Sequence, residues 1–496
     1  MLPFSFAHCA EIQFREMADF MGILGNFHEK RIYKIFVLLL GLAGICPAQE
    51  KSPFTPDLMR TLQQLQRAAS ASEVGYDFLE HLSDEIGPRL PGSPQAAAAV
   101  DYLTSQFQRL GLQVSNEPVV VPHWVRGDER AELVQFPGMR PGLSQKIIVT
   151  ALGGSAPTPR QGITAQLLIV EKLSDLEGLA PEAVKGKIVL FNQAFDRELA
   201  NAGFAHQAYV QVVRQRVSGA NKAAAMGAAA SLLRSIGSAD FRLAHTGAVV
   251  YSGDRKIPAG AVSSEDADLI ERLSRRGPVL MHLLLTPEIL PDVTSANVIA
   301  DLQGDQFPQQ IVIISAHLDS WDLGTGALDN GAGVAAVLQA AQVITSLHLK
   351  PLRTIRFVAW MNEEEGGSGY YQYLDHHKGE LKDHVAVLDI DVGTCHPVGY
   401  TADASPNAME MLQPLSSVLQ AQRAAVAEKS NEISDFTEYG IVTFDPLVDN
   451  RNYYDNHHTV ADTFDKVDPK GLQENAALIA VLAYAVSSIE PRVRLK

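Results

Sequence analysis

Four clusters in this chain combine imidazole and carboxylate groups in a way that could hold metal. The first is His317-Leu318-Asp319, with Asp329 following twelve residues after the histidine in a glycine-rich turn. The second is Glu363-Glu364-Glu365, the third is Asp391, and the fourth is the pair His457-His458. Each has a bland reading when taken alone. A lone His-x-Asp pair is more often structural than not. A run of glutamates is usually a solvated helix start, favoured there by the helix dipole. An aspartate after a strand is usually a turn, and two histidines in a polar loop are usually surface. Four such clusters, each at the mouth of a predicted strand or loop, make coincidence a poor account. Imidazole plus carboxylate without thiolate suits zinc or a neighbouring first-row dication. Two such ions, roughly 3.5–4 Å apart, clamp a hydrolytic transition state, and they need about six ligand positions with one carboxylate free to bridge. A further carboxylate must stay unligated to take a proton from water, and the adjacent Glu363 and Glu364 can divide those two tasks.

The elements around these residues have to bring them together. Residues 311–314 are a continuous β-branched run that passes on through Ser315 and Ala316, which predicts a strand buried on both faces and ending at His317. Residues 354–361 and 384–390 predict two more strands, one ending before the glutamates and one before Asp391. Residues 333–347 and 472–489 are apolar enough for buried helices. Strand end, polar loop and buried helix is where open α/β sheets place ligands. Upstream, 52–70, 76–86 and 96–110 predict helices, and 112–122 alternates like a strand. The 87–93 stretch, Gly-Pro-Arg-Leu-Pro-Gly-Ser, must be a loop. From Arg126 the pattern shifts to short strands punctuated by Pro and Gly, at 147–152, 163–170, 187–192, 249–252 and 258–262. A helix is expected at 220–233. The α/β alternation returns near Asn297. The expected architecture is an α/β/α sandwich with a mixed, mostly parallel central sheet, interrupted by a β-rich insert. The catalytic domain would then be discontinuous, at 49–127 and 291–496, with the insert at 128–290.

The chain has 496 residues, too many for one ordinary domain. Its net charge of −16 leaves no basic excess to displace counterions, which argues against a nucleic-acid backbone as partner. Near the N-terminus, Lys30, Arg31 and Lys34 precede an apolar run at 35–45 and small residues at Pro47-Ala48, the pattern of an export signal. Residues 1–48 are therefore expected to be a signal region, whose first twenty or so read as an extension ahead of Met21. Export to the periplasm or outside follows; lipid attachment at Cys46 is the weaker alternative, because Ile45 does not fit a lipobox. Only Cys395 would remain in the mature chain, so no internal disulfide is expected. No run of eighteen apolar residues predicts a transmembrane span.

Several motifs carry a resemblance to a known family. They are Gly87-Pro88-Arg89-Leu90, Pro122-His123-Trp124, Gly186-Lys187-Ile188-Val189, His317-Leu318-Asp319-Ser320-Trp321-Asp322, Glu363-Glu364 with Gly366-Gly367, and Asp462-Thr463. From about Tyr76 to the end, the chain resembles the two-zinc exopeptidases that include leucyl aminopeptidases and glutamate carboxypeptidase II, and within them the carboxypeptidase Q group. The resemblance implies two zinc ions per chain. His317 and Asp391 would bind one, Glu364 and His458 the other, and Asp329 would bridge them. It implies Glu363 as general base toward a metal-bridged water, and Asp319 as the group that holds the His317 ring in one tautomer. It gives His457 an oxyanion or substrate role, since relatives often carry tyrosine there. It implies a cis peptide bond between Asp329 and Asn330. The insert resembles a protease-associated domain, placed as a lid over the active site. The implied substrate is a dipeptide or short peptide with an unsubstituted N-terminus, and the implied assembly is a homodimer. The alternatives are an aminopeptidase acting on longer peptides, a one-zinc glutaminyl cyclase, and a receptor-like relative without activity. The complete ligand set weighs against the last two.

Overall fold

The computed structural model describes residues 52–419, 423–426, 433–490 and 492–493. The expected signal region, with Cys9 and Cys46, lies outside the described residues. Among those described, no helix is long and apolar enough to cross a membrane.

The chain opens with helices α1 (Pro56–Ala69), α2 (Val74–Glu80) and α3 (Pro94–Arg109). Thr55 and Ser93 start α1 and α3 by accepting from the amides of Leu58 and Ala96, each just ahead of a proline. Strand β1 (Gln113–Val125) then leads to a second layer. It comprises β2 (Glu129–Gln135), β3 (Gln145–Ile147), β4 (Val149–Ala151), β5 (Ile163–Val170), β6 (Ile188–Phe191), α4 (Ala205–Ala225), β7 (Ala230–Arg234), β8 (Ala259–Val262), α5 (Ser264–Ser274) and β9 (Leu280–Leu285). Strand β10 (Glu288–Leu302) returns antiparallel to β1, paired from Glu288 opposite Val125 to Asp301 opposite Gln113. The remainder is β11 (Phe307–His317), α6 (Ala332–Ser346), β12 (Arg353–Trp360), α7 (Ser368–His376), β13 (His384–Asp389), β14 (Pro397–Asp403), β15 (Arg423–Val426), β16 (Val442–Val448) and α8 (Pro469–Ser488).

The first sheet runs β1-β10-β12-β11-β13-β16-β14-β15. Its centre, β12-β11-β13-β16, is parallel; β1-β10, β10-β12 and β16-β14 are antiparallel, and β14-β15 at the far edge is parallel. The parallel register sets His317 beside Trp360 and Ser315 beside Asp389, so three strands end together at one edge. Both faces of β11 are covered. Val312, Ile314 and Ala316 join the core that includes α6 and α8, and Ile311 and Ile313 join Tyr373 and Leu374 of α7 and Phe436 on the opposite side. That is why β11 reads as a continuous apolar run rather than an alternation.

The inserted layer differs from the β-rich module expected. Its sheet runs β3-β2-β9-β5-β6-β7-β8-β4, and β5-β6-β7-β8 is parallel and accompanied by the 21-residue α4. The helix expected at 220–233 is two elements. It stops at Ala225, Gly227 turns the chain at φ 86°, and Ala230–Arg234 is the buried strand β7. Alanine and leucine serve a buried strand as well as a helix, so the apolar run concealed the change. No strand forms at 249–252; the chain there makes a single bridge, Ala248 to Gly153. The expected boundary at 290 falls inside β10, whose pairing with β1 begins at Glu288.

Candidate metal centre

The edge where β11, β12 and β13 end collects the chemical groups. His317 closes β11 and is buried. Its Nε2 lies 3.1 Å from Asp329 Oδ1 and 3.0 Å from Asp391 Oδ1. His458 Nε2 lies 3.1 Å from Asp329 Oδ2 and 3.1 Å from Glu364 Oε2. Asp329 therefore presents one oxygen to each imidazole. Glu363 Oε2 stands 4.0 Å from His317 Nε2, on a side chain one quarter exposed (26%) toward the cleft. His457 stacks on His458 with ring centroids 3.7 Å apart, and its Nε2 is 3.3 Å from Asp329 Oδ2. All eight residues singled out in the sequence meet here, including Asp319.

Local structure explains how they are held. The Asp329–Asn330 peptide is cis. Asn330 Nδ2 donates to Ile390 O at 2.8 Å, tying this loop to the segment that carries Asp391. Asn362 and His458 both adopt left-handed backbone, at φ 69° and 60°. Such conformations cost about 1–3 kcal/mol for a non-glycine residue and gather at functional sites. Here they aim the Glu363-Glu364 turn and the His458 ring into the cluster.

Asp319 does not hold the His317 ring through its carboxylate. The ring Nδ1 bonds the main-chain carbonyl of Asp319 at 3.0 Å, whereas the carboxylate oxygen is 3.8 Å away. The carboxylate instead accepts from the amides of Glu363 at 3.0 Å and Glu364 at 3.2 Å. It positions the turn that carries both glutamates.

Two residues quoted only as motif members prove to be structural anchors. Arg89 is fully buried and donates to Leu318 O (2.7 Å), Thr325 O (2.8 Å), Gly87 O (3.2 Å) and Gly326 O (2.7 Å). It staples the loop between His317 and Asp329. Asp462 accepts from Leu328 N at 2.6 Å and Asp329 N at 3.2 Å. The arginine of the Gly-Pro-Arg loop was a visible signal, since arginine in a loop is seldom buried without acceptors waiting.

The electrostatics call for cations. Burial pushes the His317 ring toward neutrality, but hydrogen bonds to Asp329 and Asp391 outweigh it and hold the ring well above its usual pKa. The His458 ring is likewise carried to about 9, against burial, by Glu364 and Asp329. Burial alone would raise Asp329, yet His317 and His458 keep it well below the carboxylate range. Glu364 is raised, chiefly by burial, and its Oε1 is buried with no hydrogen-bond partner. An orphaned carboxylate oxygen among two imidazoles and two further carboxylates is what a dication site of this donor set requires. Burial, then Asp319, Asp322 and Glu364, lift neighbouring Glu365 to about 8.

A cavity of about 270 Å³ opens beside Glu363 and His317, walled by Trp360, Tyr370, Tyr371 and Ile433. Trp321 sets its ring edge-on to His458, and the backbone of Gly153 from the inserted layer packs so closely on Trp321 that a Cβ would lie 2.0 Å from the indole.

Residues 297–483 match the model of Peptidase family M28. Over 440 residues, 88% of this chain and 89% of its relative, the sequence is 35% identical to carboxypeptidase Q of Homo sapiens. It is 25% identical to aminopeptidase YwaD of Bacillus subtilis, across 92% of this chain and 94% of that protein. Among solved structures, a peptidase M28 precursor from Shewanella amazonensis superposes with a TM-score of 0.83 at 36% identity, covering 88% of this chain and 98% of the other. A zinc aminopeptidase from Bacillus subtilis shares the fold, with a TM-score of 0.61 at 22% identity over 84% of this chain and 96% of its own.

Proposed function

The chain belongs to peptidase family M28 and is a zinc-dependent metallopeptidase, and on that premise we propose that it is an exported di-zinc exopeptidase cleaving dipeptides and short peptides with a free N-terminus. The observation that carries the proposal is the sharing of Asp329, with one carboxylate oxygen 3.1 Å from each of two imidazoles. In this reading His317 and Asp391 hold one zinc, Glu364 and His458 hold the other, and Asp329 serves both. When bound, the pair supplies Lewis acidity toward the scissile carbonyl and lowers the pKa of water.

The chain's own groups do the rest. Glu363 belongs to none of the ligand pairs and is the most accessible carboxylate beside His317 apart from Asp391. It takes the proton of the attacking water and returns it to the leaving amine. Asp319 holds the amides of Glu363 and Glu364, so base and ligand keep their spacing. His457, stacked beside His458, faces the carbonyl oxygen of the substrate. The cavity walled by Trp360, Tyr370, Tyr371 and Ile433 receives a substrate side chain next to the base. The inserted layer acts as a lid of the protease-associated type, supported by its packing through Gly153 on Trp321. A covered cleft favours short substrates and excludes water from the reacting groups.

The test is metal analysis of the purified protein together with a panel of di-, tri- and tetrapeptides. Two zinc ions per chain, activity lost on chelation, and fastest turnover of dipeptides are expected. Full activity with at most one tightly bound metal would overturn the two-zinc reading. Faster turnover of the longer peptides would make the enzyme a broader aminopeptidase.

A further inference from the structure

The two imidazoles at the centre are held in the same manner from different places. In both, Nε2 faces carboxylates and Nδ1 meets a main-chain carbonyl. For His317 that carbonyl belongs to Asp319, two residues along the same loop. For His458 it belongs to Thr246, in the inserted layer, at 3.3 Å. The Arg216 guanidinium also lies 3.3 Å from this Nδ1. With Nε2 as the ligand atom, however, Nδ1 carries the proton, so its partner is the acceptor and not another donor. Thr246 answers with its own amide, which donates to His458 O at 2.9 Å. The two residues thus clasp each other through main-chain groups, across 212 positions of sequence. His458 has a particular need of such a clasp, because its φ of 60° is unfavourable for a non-glycine residue.

Thr246 is in turn fixed to the inserted layer. Its hydroxyl donates to Ala151 O at 2.9 Å and accepts from Arg126 at 3.3 Å. Gly153 N donates to Gly247 O at 3.1 Å, and Val249 N donates to Gly153 O at 3.0 Å. Arg126 also bonds Asp322 of the His317 loop, at 2.7–3.0 Å, and so braces both sides of the clasp.

We propose that the inserted layer is part of the metal centre: the main chain of Thr246 is the positioning element for His458, and His458 holds metal at full affinity only while residues 245–249 are docked on the His458 loop. This rests on the two-zinc reading and adds to it that a lid could not swing away without loosening one metal. Because such coupling is reciprocal, zinc binding must also hold the docked segment in place.

The test uses Thr246→Pro, which removes the donated amide, and zinc titration of the purified chain against a chromophoric competitor. Partners of ligand histidines typically contribute about 10–100-fold in metal affinity. One of the two binding steps should weaken by that factor, with the other unchanged. A folded variant that keeps both steps at wild-type strength overturns the proposal, and so does equal weakening of both steps, which would report general damage. The second measurement needs no variant. Amide exchange across 245–249 in the wild-type chain should slow on zinc loading, and exchange indifferent to zinc overturns the proposal even if the proline variant fails to fold. If the wild-type chain takes only one zinc, the two-metal reading fails, and the exchange measurement alone decides whether the insert braces His458.

Discussion

Replacing Arg89 with methionine should destabilise the protein by several kcal/mol and loosen the metal centre. The guanidinium serves three carbonyls of the loop between His317 and Asp329 and a fourth, Gly87 O, in its own loop. Leaving a buried acceptor unsatisfied costs about 1–3 kcal/mol, so the four together represent about 4–12 kcal/mol. Against this stands the burden of burying the charge. Desolvation, opposed by Asp462, Asp319, Asp329 and Glu364, lowers the arginine from 12.5 to about 10. That shift corresponds to about 3 kcal/mol, which removing the charge gives back. The difference spans about 1–9 kcal/mol, and the removal of one partner from a buried charged network places the expectation at about 3–5 kcal/mol within it. With an unfolding entropy near 2.1 cal/mol/K per residue over about 440 residues, each kcal/mol moves the transition by about 1 °C, so a fall of about 3–5 °C is expected. Calorimetry at fixed zinc reads the shift, and competitive zinc titration reads the loosened site. Arg89→Lys should recover little, because an ammonium cannot span four carbonyls set around a planar fork. A methionine variant melting within one degree of wild type, with unaltered zinc affinity, would refute the staple.

Three further outcomes follow from the site and the core. Glu363→Gln should keep both metals and lose about 10²–10⁴-fold in kcat, as general-base loss does; turnover within a few-fold of wild type would move the base to Glu365. His384 is buried, accepts from Tyr373 Oη at 2.8 Å and bonds Glu380 O at 3.1 Å through Nδ1, and burial, chiefly, lowers it to about 4. Its neutral form is the folded one, so its contribution is complete above pH 6.5 and is lost as pH falls toward 4. At pH 5 the loss is about 2 kcal/mol, and His384→Gln should flatten that part of the acid limb in urea titrations; an identical pH profile in the variant would exclude it. Finally, Ile433→Trp should fill the cavity beside Glu363 and raise KM for substrates with bulky side chains while sparing small ones. A uniform change across a dipeptide panel would mean that the cavity is not a side-chain site.

The parts legible from the sequence were those whose signal was local. Residues 311–314 could be read as a doubly covered stretch of strand because both of its faces meet packed side chains, which favours the unbroken run Ile-Val-Ile-Ile. His317, Glu363 and Asp391 could be grouped because parallel strands of matched register end together, so a polar residue after each apolar run lands at one edge. The cis bond at Asp329 and the order of ligands came with the family resemblance rather than from spacing. What stayed hidden depended on distant partners. The carboxylate of Asp319 serves amides 44 and 45 residues away, and nothing near Asp319 announces that. Thr246 lies in a stretch without periodicity, and its importance comes from a carbonyl that every residue type possesses. At 220–233 two local signals compete: Gly227 marks the end of the helix, while the alanines on both sides of it share one composition across helix and strand.

The long pairing of β1 with β10 carries a consequence for how such an enzyme can be cut and joined. Val125 and Glu288 are partners in the ladder, so the entrance and exit of the inserted layer stand side by side on the margin of the first sheet. Everything between them is a detour that the first sheet does not count. A two-residue Asn-Gly turn joining Val125 to Glu288 would close an ordinary hairpin and leave the pairings of β11, β12 and β13 untouched. Excision is topologically cheap, and lineages could gain or shed the layer by single events at this margin. It is chemically dear, because the shortened protein keeps His458 but loses the Thr246 carbonyl that meets its ring nitrogen. A transplanted layer would face the same demand in reverse: any replacement must arrive with an acceptor at the place of Thr246.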